Sequence, residues 1–270
     1  MQRRTFIAAA AATLGAPALA RAQASGAPAI EQVRQRGVLR AGLSTFVPWA
    51  MRDRQGGLIG FELDVGNRLA QDLGVRYEPQ PTQWDGIIPA LLAGRFDFII
   101  GGMSITAPRL EQVDFSEHYS TSGLLMVANS RIAPNHTKVA DFDRPDYTLT
   151  CRRGTTVAGV LGRLAPKATV RQFDDDAQAE QEVLNGRAHA WVASAPRPMF
   201  SALNHPTAMY VPFKEPFEPQ REGIALRKND PTTLAALNEW VRARHADGFL
   251  KARRAYWFET REWASQVAQG

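Results

Sequence analysis

The sequence predicts an α/β protein of two lobes, each a mostly parallel sheet flanked by helices. Two observations carry that expectation. Short apolar segments suited to buried strands alternate with longer segments of helical period, the signature of βαβ units. The chain, 270 residues and 44 % hydrophobic, is also long enough for two cores of about 100 residues or more each.

The first 24 residues are expected to be a leader outside that fold. Arg3-Arg4-Thr5-Phe6-Ile7 gives a basic start, and the Ala/Leu run after it is too short to span a bilayer. Ala22-Gln23-Ala24 reads as a cleavage site. The arginine pair fits a twin-arginine signal, although an ordinary secretory signal with two arginines reads the same way. Both lead out of the cytoplasm. The only cysteine is Cys151, so no intrachain disulfide can form and no lipid-anchoring cysteine stands at the cleavage site. Loss of Arg3, Arg4 and Arg21 with the leader lowers the formal charge from +5 to +2. The remaining basic residues are scattered rather than striped, so no nucleic-acid partner is expected.

Val38–Leu43 reads as the first strand. Glu62–Leu73 reads as a helix with Leu63, Val65, Leu69 and Leu73 inward, stopped by Gly74. A strand is expected over Val75–Glu78, a helix over Ile87–Ala93 ended by Gly94, and a buried strand over Phe96–Ile100. In the second half, Leu124–Ala128, Tyr147–Cys151 and Ala190–Ala193 are strand-like. Asp174-Asp175-Asp176 precedes a helix that stops at Gly186, so these acids read as caps rather than metal ligands. Gly223–Leu226 reads as a strand. Asp230-Pro231 opens a helix with Leu234, Leu237, Trp240 and Val241 on one face, and Phe249–Phe258 a terminal helix. Trp191 and Trp240 lie on periodic apolar segments and are expected in the core.

The stretch Gly101-Gly102-Met103-Ser104-Ile105-Thr106-Ala107-Pro108-Arg109 carries the most chemistry. Its glycine pair permits close approach of a ligand to the backbone, and its hydroxyls donate hydrogen bonds. Arg109 offers a planar fork that fits a carboxylate with two parallel bonds. Ligand sites in parallel sheets lie at the carboxyl ends of strands. Phe46, Trp84 and the stretch 101–109 would gather there.

Leu43–Trp49, Gly60–Val65, Trp84–Leu91, the arginine turn, Val113–Ser116 and Gly223–Arg227 follow one another in an order that resembles the periplasmic solute-binding proteins of polar amino-acid ABC transporters. The resemblance runs from about Val38 to Phe258. It implies a periplasmic-binding-protein fold whose two lobes are joined by a two-stranded hinge, with residues 30–122 and 222–270 in lobe 1 and 123–221 in lobe 2. It also implies roles. Arg109 would clamp a ligand carboxylate, helped by Gly102 and Ser104. The backbone N–H of Thr156, at a helix start in lobe 2, would hold the same group. Phe46 and Trp84 would sandwich the carbon skeleton. Arg152 aligns with a basic residue that faces the ligand.

The sequence departs from the family at two places. Ser194 stands where relatives usually carry the aspartate that pairs with the ligand's ammonium. Leu43 stands where relatives with cationic ligands often carry an acid. Two readings stay open: a carboxylate ligand that lacks a free primary amine, or an ammonium met by another acid such as Glu218 or Glu222. The resemblance implies a small carboxylate ligand, amino-acid-like or an organic acid. The expected partner is a membrane permease, and a monomer is expected.

The rival reading is an enzyme on the same fold, of the cyclohexadienyl-dehydratase kind. Catalysis needs a placed acid or base, and none is evident. Ser194 is not in a nucleophile elbow. His118, His136, His189, His205 and His245 lack metal-ligand spacing, so no metal or cofactor is expected. Cys151 beside Arg152 invites a lowered thiol pKa, but a structural cysteine is the plainer reading. A ligand-sensing domain would continue into a membrane segment, and none follows in this sequence.

Overall fold

The computed structural model describes residues 26–267; the leader expected over residues 1–24 lies outside them. The helix α1 (Ala29–Arg36) ends at Gly37, and β1 (Val38–Leu43) follows at once. A small hairpin of β2 (Met51–Arg52) and β3 (Leu58–Ile59) leads into α2 (Phe61–Leu73), which buries Phe61, Leu63, Val65 and Leu69. Then come β4 (Arg76–Pro81), α3 (Ile87–Leu92), β5 (Phe98–Ile99) and the short α4 (Ala107–Leu110). The long strand β6 (Asp114–Asn129) carries the chain into the second half. That half contains β7 (Thr148–Arg152), α5 (Val157–Leu164), β8 (Thr169–Phe173), α6 (Asp176–Leu184), β9 (Ala190–Ser194), α7 (Arg197–Asn204) and β10 (Met209–Tyr210). The return strand β11 (Phe217–Leu226) is followed by α8 (Pro231–Ala246) and α9 (Phe249–Arg254).

The strands run in the order β4-β1-β5-β11-β6-β9-β7-β8, with β10 on β6. Apart from the β2–β3 hairpin, the strands that build each lobe's half of the sheet pair in parallel: β1 with β4 and β5, and β7 with β8 and β9. The sheet is mixed because β6 and β11 enter it antiparallel to their neighbours and to each other. These two strands form the two-stranded connection. They pair from Phe217 opposite Leu124 to Leu226 opposite Asp114, with irregularities on the way.

Both connecting strands are longer than expected: the sequence predicted only Leu124–Ala128 and Gly223–Leu226. The missing lengths are polar, with exposed residues such as Glu117, Thr121 and Arg221 interleaved among buried polar ones. Ser116, Ser120, Gln220 and Glu222 are all buried, and Ser122 Oγ donates to Glu222 Oε1 at 2.6 Å. Apolar alternation cannot detect a strand of this kind.

Each lobe has its own core. Leu39, Val65, Phe98, Ile224, Leu237 and Trp257 pack in the first. Leu124, Met126, Leu149, Leu161 and Val192 pack in the second. Trp191 is fully buried, whereas Trp240 is half-buried and donates its indole N–H to Asp72 at 2.8 Å. The terminal helix expected over Phe249–Phe258 is regular only to Arg254, then widens into a π turn over Ala255–Glu259.

Candidate functional site

The carboxyl ends of β1, β5, β7 and β9 converge between the lobes. A pocket of about 480 Å³ opens there, counting its mouth. The first lobe lines it with Ser44, Phe46, Trp49, Trp84, Gly101 and Gly102. The second lines it with Arg152, Thr155, Val157, Asp176, Val192, Ala193 and Ser194. Of the residues the sequence singled out, Phe46, Trp84, Gly102, Arg152 and Ser194 stand in this wall.

Trp84 is the centre of the arrangement. The Arg109 guanidinium lies 5.7 Å from its ring centroid and the Arg152 guanidinium 5.8 Å from it. Its indole N–H donates across the cleft to Gly154 O at 3.2 Å. Arg109 Nη2 donates to the same carbonyl at 3.2 Å, and Arg109 Nη1 donates to Ser104 O at 2.9 Å. No carboxylate pairs with Arg109 among the described residues, and burial lowers its pKa to about 10. A guanidinium has five N–H donors, so this one keeps capacity for a bidentate acceptor beside the pocket.

Gly154 explains how the lobes come so close. Its φ is +73°, which favours glycine, and a Cβ there would stand 3.0 Å from the Asp85 backbone of the opposite lobe. The turn Arg152-Arg153-Gly154-Thr155 therefore presents bare backbone to Trp84 and Arg109.

Ser104 and Thr156 face elsewhere. Ser104 Oγ donates to Gln220 Oε1 at 2.7 Å, and Gln220 Nε2 donates to Thr156 Oγ1 at 2.6 Å. Together the three tie both lobes to the return strand beside the pocket, along an adjoining surface cleft. Thr155 and Val157, on either side of Thr156, supply the pocket wall. The Gly102 N–H is engaged as well. It donates to Tyr119 Oη at 3.0 Å, which donates in turn to Glu62 Oε2 at 2.8 Å. Leu43 is fully buried against Ala50 and Leu63 and is not a wall residue; Ser44, one place later, is.

The two acids expected as substitutes for the family aspartate lie outside the pocket. Glu218 pairs with Arg163 at the surface cleft. Glu222 is buried in the connecting strands beside Ser122. The pocket's acid is Asp176, which the sequence reading assigned to a cap. Capping needs only one of the three aspartates: Asp175 accepts from Gln178 N at 2.8 Å, and Asp176 falls one residue into α6 with its side chain 11 % exposed. Burial raises its pKa to about 6, against the pull of Arg152 and Arg197. Arg152 is held by Ser44 Oγ, by Thr45 O at 3.4 Å and by Asp176 Oδ2 at 3.5 Å.

Cys151 is buried at the end of β7, and burial pushes its thiol up to about 12 instead of Arg152 lowering it. His136 donates to or accepts from Tyr147 Oη at 2.9 Å, and the ring of His189 stacks on Tyr147 at 4.0 Å. Both belong to the second lobe's packing.

Known proteins place this architecture. The chain is 31 % identical over 232 residues to the L-cystine-binding protein of Escherichia coli strain K12, across 85 % of each chain. It is 26 % identical over 233 residues to the cyclohexadienyl dehydratase of Pseudomonas aeruginosa, across 86 % of this chain and 87 % of that one. Among solved structures, a lysine-complexed protein from Wolinella succinogenes matches with a TM-score of 0.79 and 32 % identity, over 85 % of this chain and 99 % of that chain. The family model for bacterial extracellular solute-binding proteins, family 3, matches residues 39–260. With that match across both lobes, the chain belongs to the bacterial extracellular solute-binding proteins, family 3.

Proposed function

We propose that this protein is the solute-capturing component of an ABC importer. It takes a small carboxylate-bearing molecule, an amino acid or a close analogue, between its lobes and hands it to a membrane permease. One observation carries the reading: the half-buried guanidinium of Arg109 lies 5.7 Å from the ring centroid of the pocket residue Trp84, just outside the wall, and no acid among the described residues pairs with it. A partly buried cation without a partner is costly, so the site suits a ligand that supplies the anion. Phe46 and Trp84 would form the apolar walls, with Ser194 and Arg152 on the facing lobe. The L-cystine-binding relative and the lysine-bound neighbour support an amino-acid class of ligand.

The rest of the reading follows the same family. The two lobes comprise residues 30–122 with 222–270, and 123–221. An exported, freely diffusing monomer without cofactor fits the leader-like start. No helix among the described residues is long and apolar enough to cross a membrane. The dehydratase relative keeps an enzyme in view. Binding is the better assignment because the L-cystine-binding relative matches over nearly the same share of the chain at the higher identity.

Isothermal titration of the mature protein against the L-amino acids, L-cystine and the matching acids without an α-amine tests the reading. Saturable one-to-one binding of at least one carboxylate is expected, with an unchanged proton NMR spectrum of that solute after hours of incubation. Absence of binding across the panel, or turnover of the solute, would refute it.

A further inference from the structure

We infer that Asp176, at the start of α6, is the group that meets the cationic nitrogen of the bound solute, in place of the neutral Ser194. The inference rests on the capture reading above and narrows it to solutes that carry an ammonium beside their carboxylate.

Three observations converge. Asp176 is the one acid in the pocket wall, and Ser194 shares that wall with it. Its tie to Arg152 is loose, a single 3.5 Å contact, where charge-assisted N–H···O bonds are usually about 2.7–2.9 Å. An ionised carboxylate has about four acceptor sites, so most of its capacity remains to be filled. Arg152 is itself incompletely bonded: its buried Nε–H has no acceptor, and its Nη groups turn toward Ser44 Oγ and Thr45 O of the first lobe. The pair thus resembles a site awaiting a third charged group more than a closed salt bridge.

Charge balance points the same way. Arg152 and Asp176 stand in the pocket wall and Arg109 just beside it against Trp84, so two cations and one acid surround the place a solute would take. A zwitterion placed between them lets its carboxylate meet Arg109 and its ammonium meet Asp176, leaving no buried charge alone. A plain organic acid would satisfy Arg109 but do nothing for Asp176.

The acid must be ionised for this role. It is raised to about 6 by burial; Arg152 and Arg197 oppose the rise, Asp175 adds to it, and the indole N–H of Trp191 is turned toward it. Affinity for a zwitterion should therefore fall as pH drops through about 6, whereas affinity for the amine-free acid should not follow that profile.

The test is calorimetric titration of wild type, D176N and D176E with the tightest-binding amino acid of the panel and with its analogue lacking the α-amine. D176N should lose about 30-fold or more in affinity for the amino acid, as expected when a buried charge is left without its partner. It should bind the analogue at least as tightly as wild type, because a negative charge that repels a carboxylate is removed, and a circular dichroism spectrum matching that of wild type reports an intact fold. D176E keeps the carboxylate and should recover part of the loss even if D176N folds poorly. Equal amino-acid affinity in wild type and D176N overturns the inference. So does a wild-type protein that binds amine-free acids but no amino acid, although that outcome leaves the capture reading standing. A wild type that binds neither overturns both.

Discussion

Arg109 and Asp176 show what single residues disclose. Phe46 and Trp84, expected to gather at strand ends, and Arg152, expected from the resemblance, stand in the pocket wall, whereas Arg109 lies just outside it against Trp84. Asp176 was not legible as a pocket residue, because three consecutive aspartates before a helix give the same sequence signal whichever of them caps it. Only the helix phase tells that Asp175 takes the cap and Asp176 enters the pocket. Ser104 and Thr156 were found as residues but not as partners, since nothing in sequence announces that Gln220 reaches both. At this scale the account predicts the outcome of R109A. Two hydrogen bonds to a carboxylate, each about 1.5–3 kcal/mol, are lost, so affinity should fall by about 100-fold or more. R109K should restore little, because an ammonium cannot reproduce the planar fork. Calorimetry on both variants checks this, and a loss below about threefold in R109A would remove Arg109 from the site.

Among the elements, β1, α2, β7, β9 and α8 fell close to their expected bounds because their apolar periodicity is uninterrupted. The connecting strands did not, because residues 116–122 and 220–222 are mostly polar, some buried in the sheet and others exposed, and carry no apolar alternation. The first turn of α2 shows how such groups serve the site. Glu62 is fully buried and accepts from Tyr119, which accepts from Gly102 N in the ligand-side turn. Burial pushes Glu62 up to about 8, the Tyr119 bond opposes this and nearby Glu222, itself raised to about 7, adds to it. The sign follows. In the unfolded chain Glu62 titrates near 4.5, so the folded state holds the extra proton between about 4.5 and 8. Its contribution to stability is full below 4.5 and is lost as pH rises through about 8. E62Q keeps a neutral group at all pH values. Its melting temperature should therefore fall less than that of wild type between pH 5.5 and 8.5, by about 2–4 °C for each kcal/mol removed. Parallel curves for the two proteins in thermal scans would show that the carboxyl is ionised throughout.

For the molecule as a whole, the two lobes, their separate cores and the two crossings could be read from chain order, while the closeness of their approach could not. That approach depends on Gly154, whose bare Cα lies against Asp85 and whose carbonyl accepts from both Trp84 and Arg109. In G154A the added Cβ meets opposing backbone at 3.0 Å and the φ of +73° becomes strained. The open state should gain at the expense of the closed one, and solute affinity should fall by about tenfold for each 1.4 kcal/mol of closure energy lost. Unchanged affinity in G154A would mean that the lobes need not approach this closely to bind. Hinge closure requires that the solute contact both lobes and so favour the closed state. Small-angle X-ray scattering of the mature protein, without solute and at saturation with the amino acid that binds most tightly, reads this directly. A smaller radius of gyration at saturation, with a weaker response in R109A at the same solute concentration, is the predicted result. An identical profile with and without solute, at a concentration where calorimetry shows the site full, would contradict capture by closure.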